Sequence, residues 1–489
     1  MESLKIAFIT PEAVPFAKTG GLADVSGALP EALNRLGHSV KLFMPYYRQV
    51  RDNYPDLSRI DVDLKCRVGT REVFGEVYYS GDPKSGLDKY FIGNENYFDR
   101  DALYIDPETG EDFIDNDERF IYFCRAVLET IKKLNWKPDI FHANDWQSAL
   151  VPSLLKTAYY EDDFFSASRS VFTIHNMGYQ GLFTPETFSK LNVDPSNFYA
   201  AGPFEFWGKV NFMKSAIALS DKITTVSPTY ALEIQESDEY GKGLHGVLSE
   251  RAEDLTGILN GVDYEQWSPN KDKLIPHGYQ ISNLSGKKKN KLELLHQCGL
   301  PLRVEQPLIG VISRLDIQKG FDLLEEIMDD IMSLDLQFVL LGTGDEKYHK
   351  FFTEIEKQYP DKFKAFLAFD NKLAHLIEAG SDVFLMPSHY EPCGLNQLYS
   401  MRYGTVPIVR KTGGLADSVI DFDEAAMTGT GFVFEDYSAD ELLKTIKRAA
   451  GLYGKKKTWY KIVKQGMAQD FSWDSAARSY AELYYRTIA

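Results

Sequence analysis

Seven residues occur twice. KTGGLAD stands at Lys18 to Asp24 and, unchanged, at Lys411 to Asp417. Each copy follows a short apolar run, IAFIT before the first and VPIVR before the second, and each precedes a helical pattern. A glycine pair at a strand-to-helix turn lets backbone approach a ligand closely, and the unpaired amides of a first helical turn favour an anion. Lys18 adds a point charge suited to phosphate. One Gly-Gly is as readily a plain turn; two copies, each opening a helix, favour a ligand.

Further constellations combine charge with the end of a strand. SRLDIQKG (313–320) follows LIGVI and puts Arg314 and Lys319 where parallel sheets bind ligands, a cation pair suited to a diphosphate leaving group. EPCGLNQLYSMRYG (391–404) follows DVFLMPS and opens a helix near Gly394. There the Glu391 carboxylate can hold sugar hydroxyls while the amides of Cys393, Gly394 and Leu395 hold phosphate. HANDWQ (142–147) and TIHNMGYQG (173–181) end two more strands and expose Asp145, His175 and Asn176. Each stretch also has a plainer reading, as solvated loop, favourably charged helix start or loop cap. Rival motifs are weak. Gly342-Thr343-Gly344 follows a strand, but Lys347 stands where a dinucleotide fingerprint needs its third glycine, and neither GxxxxGK[ST] nor HExxH occurs. DxD triplets such as Asp99/Asp101 arise readily in a chain with 71 acidic residues, and no metal is assigned.

These groups need buried parallel strands to position them. LKIAFIT (4–10), VKLFMP (40–45), DIFHAND (139–145), SVFTIHN (170–176) and KITTVSP (222–228) are too short and too uniformly apolar for half-exposed strands. Helical patterns at 22–37 and 116–134 lie between them. After LNGVDYEQWSP (259–269) a second series begins: PLIGVISRL, LQFVLLGTGD, SDVFLMPSHYEP, GTVPIVRKTGG and TGFVFED. Two series predict an α/β fold of two Rossmann-like domains, residues 1–261 and 262–469, with a crevice between them. VDLKCRVGTREVFGEVYYS (62–80) alternates around Gly69-Thr70 and predicts a β-hairpin added to the first domain. The stretch 470–489 reads as a capped helix.

Composition excludes several classes. A net charge of -17 argues against nucleic acid or an anionic membrane as partner, and the basic runs at 287–291 and 455–457 read as solvated faces. Four scattered cysteines fit a reducing, cytoplasmic setting. The opening MESLKIAFITPEAVPF reads as a buried strand, not a signal peptide. No stretch approaches the ~18 apolar residues of a membrane span.

The motifs KTGGLADV, YFDRDALY, DNDERF, HANDWQ, VFTIHNMGYQG, VSPTYA, GILNGVD, SRLDIQKG, EPCGLNQ, RKTGGLADSV and DFSW together resemble bacterial glycogen synthases and plant starch synthases, in family order over essentially the whole chain. The resemblance implies the glycosyltransferase B architecture: two Rossmann-like domains facing a cleft, acceptor side first and nucleotide-sugar side second, with the helix at about 470–489 packing back on the first. It implies transfer of glucose from ADP-glucose to the non-reducing 4-hydroxyl of an α-1,4-glucan such as glycogen, with retention and without a cofactor. UDP-glucose is the alternative donor, since no residue here separates the two bases.

By the same resemblance, Lys18 and the Gly20 and Gly21 amides meet the diphosphate with Arg314 and Lys319, and Asp24 lines the donor side. Glu391 holds the glucose 3- and 4-hydroxyls. His175 and Asn260 address the 6-hydroxyl, the His175 carbonyl faces the anomeric carbon, and Asp145 lines the acceptor side with Tyr104 nearby. Two positions depart from the pattern: Gln147 stands where the family usually has His, and Asn396, still able to donate to a phosphate or ribose oxygen, stands where Thr is common. An inactive glucan-binding homologue is disfavoured by the presence of Lys18, Arg314, Lys319 and Glu391. A sucrose- or trehalose-forming enzyme is disfavoured by the pairing of KTGGLADV with HNMGYQG.

Overall fold

The apolar runs become strands buried on both faces. Ile140–Asn144 and Gln337–Leu341 are buried at every residue, a pattern that belongs to parallel sheets covered by helices on both sides. The computed structural model describes residues 2–82 and 85–489. The chain divides into two units, Met1–Val226 with Ala231–Gly261 and Trp473–Ala489, and Ser227–Tyr230 with Val262–Ser472.

The first unit is built on a nine-stranded sheet. Its spatial order is Leu255–Gly257, Lys222–Thr225, Arg169–Ile174, Ile140–Asn144, Lys5–Ile9, Ser39–Pro45, Asp88–Gly93, Arg71–Gly81 and Ser58–Val68. The first seven are parallel. The last two form the antiparallel hairpin, turned at Gly69 with φ +59°. Leu64, Cys66 and Val68 are buried while Lys65 and Arg67 between them are exposed, as a strand with one covered face requires. The second unit has six parallel strands, in the order Phe363–Phe366, Gln337–Leu341, Leu308–Ile312, Val383–Met386, Val406–Arg410 and Phe432–Phe434.

In each sheet the strand order reverses at the strand that comes first in the chain. Lys5–Ile9 lies between Ser39–Pro45 and Ile140–Asn144; Leu308–Ile312 lies between Gln337–Leu341 and Val383–Met386. Connections leave such a pair to opposite sides and open a crevice at the carboxyl ends of the strands.

The helix Trp473–Ile488 returns to the first unit and packs on Gly21–Arg35. Trp473, Ala477, Tyr480 and Tyr484 are buried, a helical stripe turned inward. Tyr484 Oη lies 2.7 Å from Nδ1 of His142, whose Nε2 lies 2.6 Å from Thr173 Oγ1. Burial pushes the His142 pKa down to about 3, so a neutral ring fills the centre of the sheet.

One expectation fails. The basic run at 287–291 is not a solvated face: Lys288 and Lys289 are exposed, but Lys291 is buried and pairs with Asp382 at 2.6 Å. Lys287 donates to Thr405 Oγ1 at 2.6 Å, and burial pushes its pKa down to about 7. Residues four apart share a helix face, so Lys287 and Lys291 both turn inward. Nothing in a run of like charges announces that two of them will find buried partners.

Tyr484→Ala is expected to destabilise the first unit by about 3–5 kcal/mol. Tyr484→Phe, which leaves the His142 nitrogen unpartnered, is expected to cost about 1–3 kcal/mol. Urea unfolding followed in the first unit measures both.

Candidate active site

The first glycine turn leaves the strand Lys5–Ile9, the switch strand of its sheet. Gly20 is the extended residue before the helix Gly21–Arg35, and no side chain among the described residues caps that helix. Lys18 is half exposed, and its ammonium contacts both oxygens of Asp24, at 2.7 and 2.8 Å. The turn wraps around a buried carboxylate, Glu12. Its Oε2 accepts from Thr19 N at 2.5 Å and Gly20 N at 3.3 Å, and its Oε1 from Thr19 Oγ1 at 2.7 Å and Tyr104 Oη at 3.1 Å. Burial holds the Tyr104 phenol far above its ordinary pKa, so it stays a donor.

Asp145 follows the neighbouring strand Ile140–Asn144 and adopts left-handed backbone, φ +55°. That conformation is tolerated by short polar side chains. Its Oδ1 accepts the His175 N–H at 2.8 Å, which joins the ends of strands Ile140–Asn144 and Arg169–Ile174. Burial drives the Asp145 pKa up to about 7, against the backbone hydrogen bonds from His175 and Asn176. His175 Nε2 lies 3.1 Å from Asn144 Oδ1, and burial lowers its pKa to about 3, leaving a neutral imidazole. Asn176 uses its Oδ1 to accept from Gly178 N. Asn260 follows the strand Leu255–Gly257, two strands beyond Arg169–Ile174; its buried Oδ1 has no partner among the described residues. Gln147 is buried too, with Oε1 unpartnered among the described residues.

In the second unit the two loops at the switch point meet. Lys319 ends the short helix Ile317–Lys319, which Asp316 caps, and its ammonium lies 2.7 Å from Glu391 Oε2. Ser388 Oγ donates to the same oxygen at 3.1 Å. Gly320, φ +77°, permits the approach, since a Cβ there would stand 2.1 Å from the Pro387 carbonyl oxygen. Arg314 is largely exposed, 3.5 Å from Asp316 Oδ2. Gly394, φ +69°, turns the chain from Cys393 towards Leu395 and the helix Asn396–Arg402. Asn396 spends its amide on the Ile312 carbonyl at 2.8 Å.

The second KTGGLAD lies beneath this loop. A Cβ on Gly413 would meet the Glu391 carbonyl oxygen at 2.0 Å, and one on Gly414 that of Cys393 at 2.1 Å. The Gly414 amide already donates to the Glu391 and Pro392 carbonyls, and Asp417 accepts from Thr229 N at 3.0 Å and Thr229 Oγ1 at 2.6 Å. Its glycines serve close packing, whereas those of the first copy frame an exposed lysine.

Within each unit, then, most of the candidates assemble. Lys18, Gly20, Asp24 and Tyr104 share the first turn, Asp145, His175 and Asn176 the adjacent edge, and Lys319 and Glu391 the second switch point. The residues that sequence reasoning missed are Glu12, Asn144 and Ser388. For Glu12 the available signal was a single acid in the uncharged stretch between strand and turn.

Comparison with known proteins gives two domain matches: a starch synthase catalytic domain over residues 5–250 and a glycosyl transferases group 1 domain over 299–465. The glycogen synthase of Koribacter versatilis is 48% identical, covering 98% of both chains. That of Thermotoga maritima is 46% identical over 99% of both. The catalytic domain of starch synthase IV from Arabidopsis thaliana, bound to ADP and acarbose, superposes with a TM-score of 0.89 at 35% identity over the full length of both chains. Sucrose-phosphate synthase from Thermosynechococcus elongatus, at 19% identity and TM-score 0.60 over 99% of this chain and 98% of its own, shares the fold. The architecture is glycosyltransferase B.

Folding raises the Asp145 pKa from the ordinary 3.8 to about 7. The folded protein therefore holds a proton that the unfolded chain releases, and stability falls as pH rises from about 4 to about 7. Asp145→Asn removes this titration. The wild-type Tm is expected to drop relative to that variant across the same window and to run parallel above about pH 8.

Proposed function

Since the chain belongs to the glycogen synthase and starch synthase family of glycosyltransferases, we propose that it transfers glucose from ADP-glucose to the non-reducing end of an α-1,4-glucan, with retention at the anomeric carbon. The Lys319–Glu391 pair carries this reading. Glu391 Oε2 is held by Lys319 and Ser388, while Oε1 takes no hydrogen bond from the described residues and is left to accept from sugar hydroxyls. Lys319 and the largely exposed Arg314 stand beside it as counter-charges for a diphosphate. Fixed positive charge aimed where negative charge develops is usually the main source of rate enhancement in group transfer.

The remaining roles follow the chemistry of each group. Lys18 and the amide of Gly21 share the diphosphate, Asp24 holds Lys18 until the donor arrives, and the Gly394 and Leu395 amides face phosphate. Neutral His175 and the Oδ1 of Asn260, unpartnered among the described residues, accept hydrogen bonds from sugar hydroxyls. Asp145 and Tyr104 belong to the acceptor side. In this reading the acceptor attacks the face from which the diphosphate leaves, and a phosphate oxygen takes the proton of the attacking hydroxyl. The positive charge comes from Lys18, Arg314 and Lys319, and the reading assigns no metal or cofactor. ADP in the starch synthase IV relative supports the adenine nucleotide over uridine.

Incubation with glycogen and either ADP- or UDP-glucose, with EDTA present, tests this through nucleotide release and glucan growth. Turnover with ADP-glucose is expected; no turnover with either donor sinks the reading. Glu391→Ala and Lys319→Ala are each expected to lower kcat by about 10²–10³-fold with circular dichroism unchanged. A folded variant with near wild-type rate removes that residue from the site.

A further inference from the structure

Of the two charged residues in the loop 10–20, Lys18 is exposed and Glu12 is 4% exposed. Glu12 is fastened at both ends. Its N–H donates to Thr10 Oγ1 at 3.4 Å, the Thr10 hydroxyl reaches its carbonyl at 2.8 Å, and Thr10 Oγ1 lies 2.8 Å from Ser26 Oγ in the helix Gly21–Arg35. Its carboxylate then receives four donors: Thr19 N, Thr19 Oγ1, Gly20 N and Tyr104 Oη. Two oxygens with four acceptor sites are matched by four donors.

We propose that Glu12 is the positioning residue of the first glycine turn. By taking the Thr19 and Gly20 amides, it fixes the path of the backbone so that the next amide, Gly21, and the Lys18 ammonium are the groups offered to the leaving diphosphate. The Gly20 amide is structural on this view. The assignment to a diphosphate rests on the function proposed above; the hold on the turn does not.

A glutamine can satisfy the same geometry. Its oxygen can accept both amides, and its NH₂ can donate to the Thr19 and Tyr104 hydroxyls, each of which can reverse its role. Alanine cannot. Hydrogen exchange of peptides covering residues 13–22 in the ligand-free full chain, with steady-state kinetics on ADP-glucose, separates positioning from bulk stability. Glu12→Ala is expected to speed exchange at Thr19 and Gly20 and to lower kcat/KM for the donor by about tenfold or more, with Tm nearly unchanged. Glu12→Gln is expected to restore both the protection and most of the activity.

Wild-type exchange at those amides in Glu12→Ala overturns the proposal, as does loosened exchange with unaltered donor kinetics, or a glutamine variant no better than alanine. If Glu12→Ala does not fold, Glu12→Asp, which withdraws the carboxylate by one methylene, takes its place with the same expected losses. Wild-type protein without transferase activity defeats the functional reading alone, and the exchange measurements still decide whether Glu12 holds the turn.

Discussion

A parallel sheet offers chemistry only at its ends, because both faces are covered and the interior is apolar. In both units the first strand in sequence sits inside the sheet, with neighbours reached in opposite directions. The loops on either side of that junction cannot fill the space between them. Lys18 and Asp145 leave the two sides of one junction, Lys319 and Glu391 the two sides of the other. These charged and polar residues are where they are because strand order leaves those places open.

Several of the donors are occupied from within. Asp24 holds Lys18, Glu391 holds Lys319, and Glu12 holds two amides of the first turn. The two ion pairs differ in kind. Lys18 and Asp24 are 53% and 31% exposed, so their attraction is worth about 0–1 kcal/mol and is readily exchanged for a phosphate. Lys319 and Glu391 are 18% and 9% exposed, and removing either partner would strand a charge in a poorly solvated place. Lys18 is free to be recruited; Lys319 is fixed beforehand.

Much of this was legible in the sequence. The buried strands announced themselves as short, mostly apolar runs, and the hairpin by alternation about Gly69-Thr70, because burial on two faces or one writes a period directly into residue type. Lys319 and Glu391 were legible as charged residues immediately after such runs. Glu12 was not, since two of its partners are backbone amides, which leave no mark on the sequence, and a third, Tyr104, lies far along the chain. The inward turn of Lys287 and Lys291 was hidden for a related reason: their partners, Thr405 and Asp382, lie far along the chain. The repeated KTGGLAD was legible as one turn used twice, with only the first copy assigned to the diphosphate; what the second copy packs against was not legible. Whether its glycines face a ligand or the Glu391 carbonyl depends on a loop that the motif does not contain.

The return of the helix Trp473–Ile488 to the first unit bears on how the protein is made. The His142 ring at the centre of the first sheet finds one of its two partners in Tyr484, which lies in the chain beyond the whole of the second unit. Residues Val262–Ser472 are contiguous apart from the short segment Ser227–Tyr230, which has already been synthesised, so the second unit has all its parts first. The unit whose residues come first is therefore the last to have all its parts, because the helix that covers Gly21–Arg35 lies beyond the second unit in the chain.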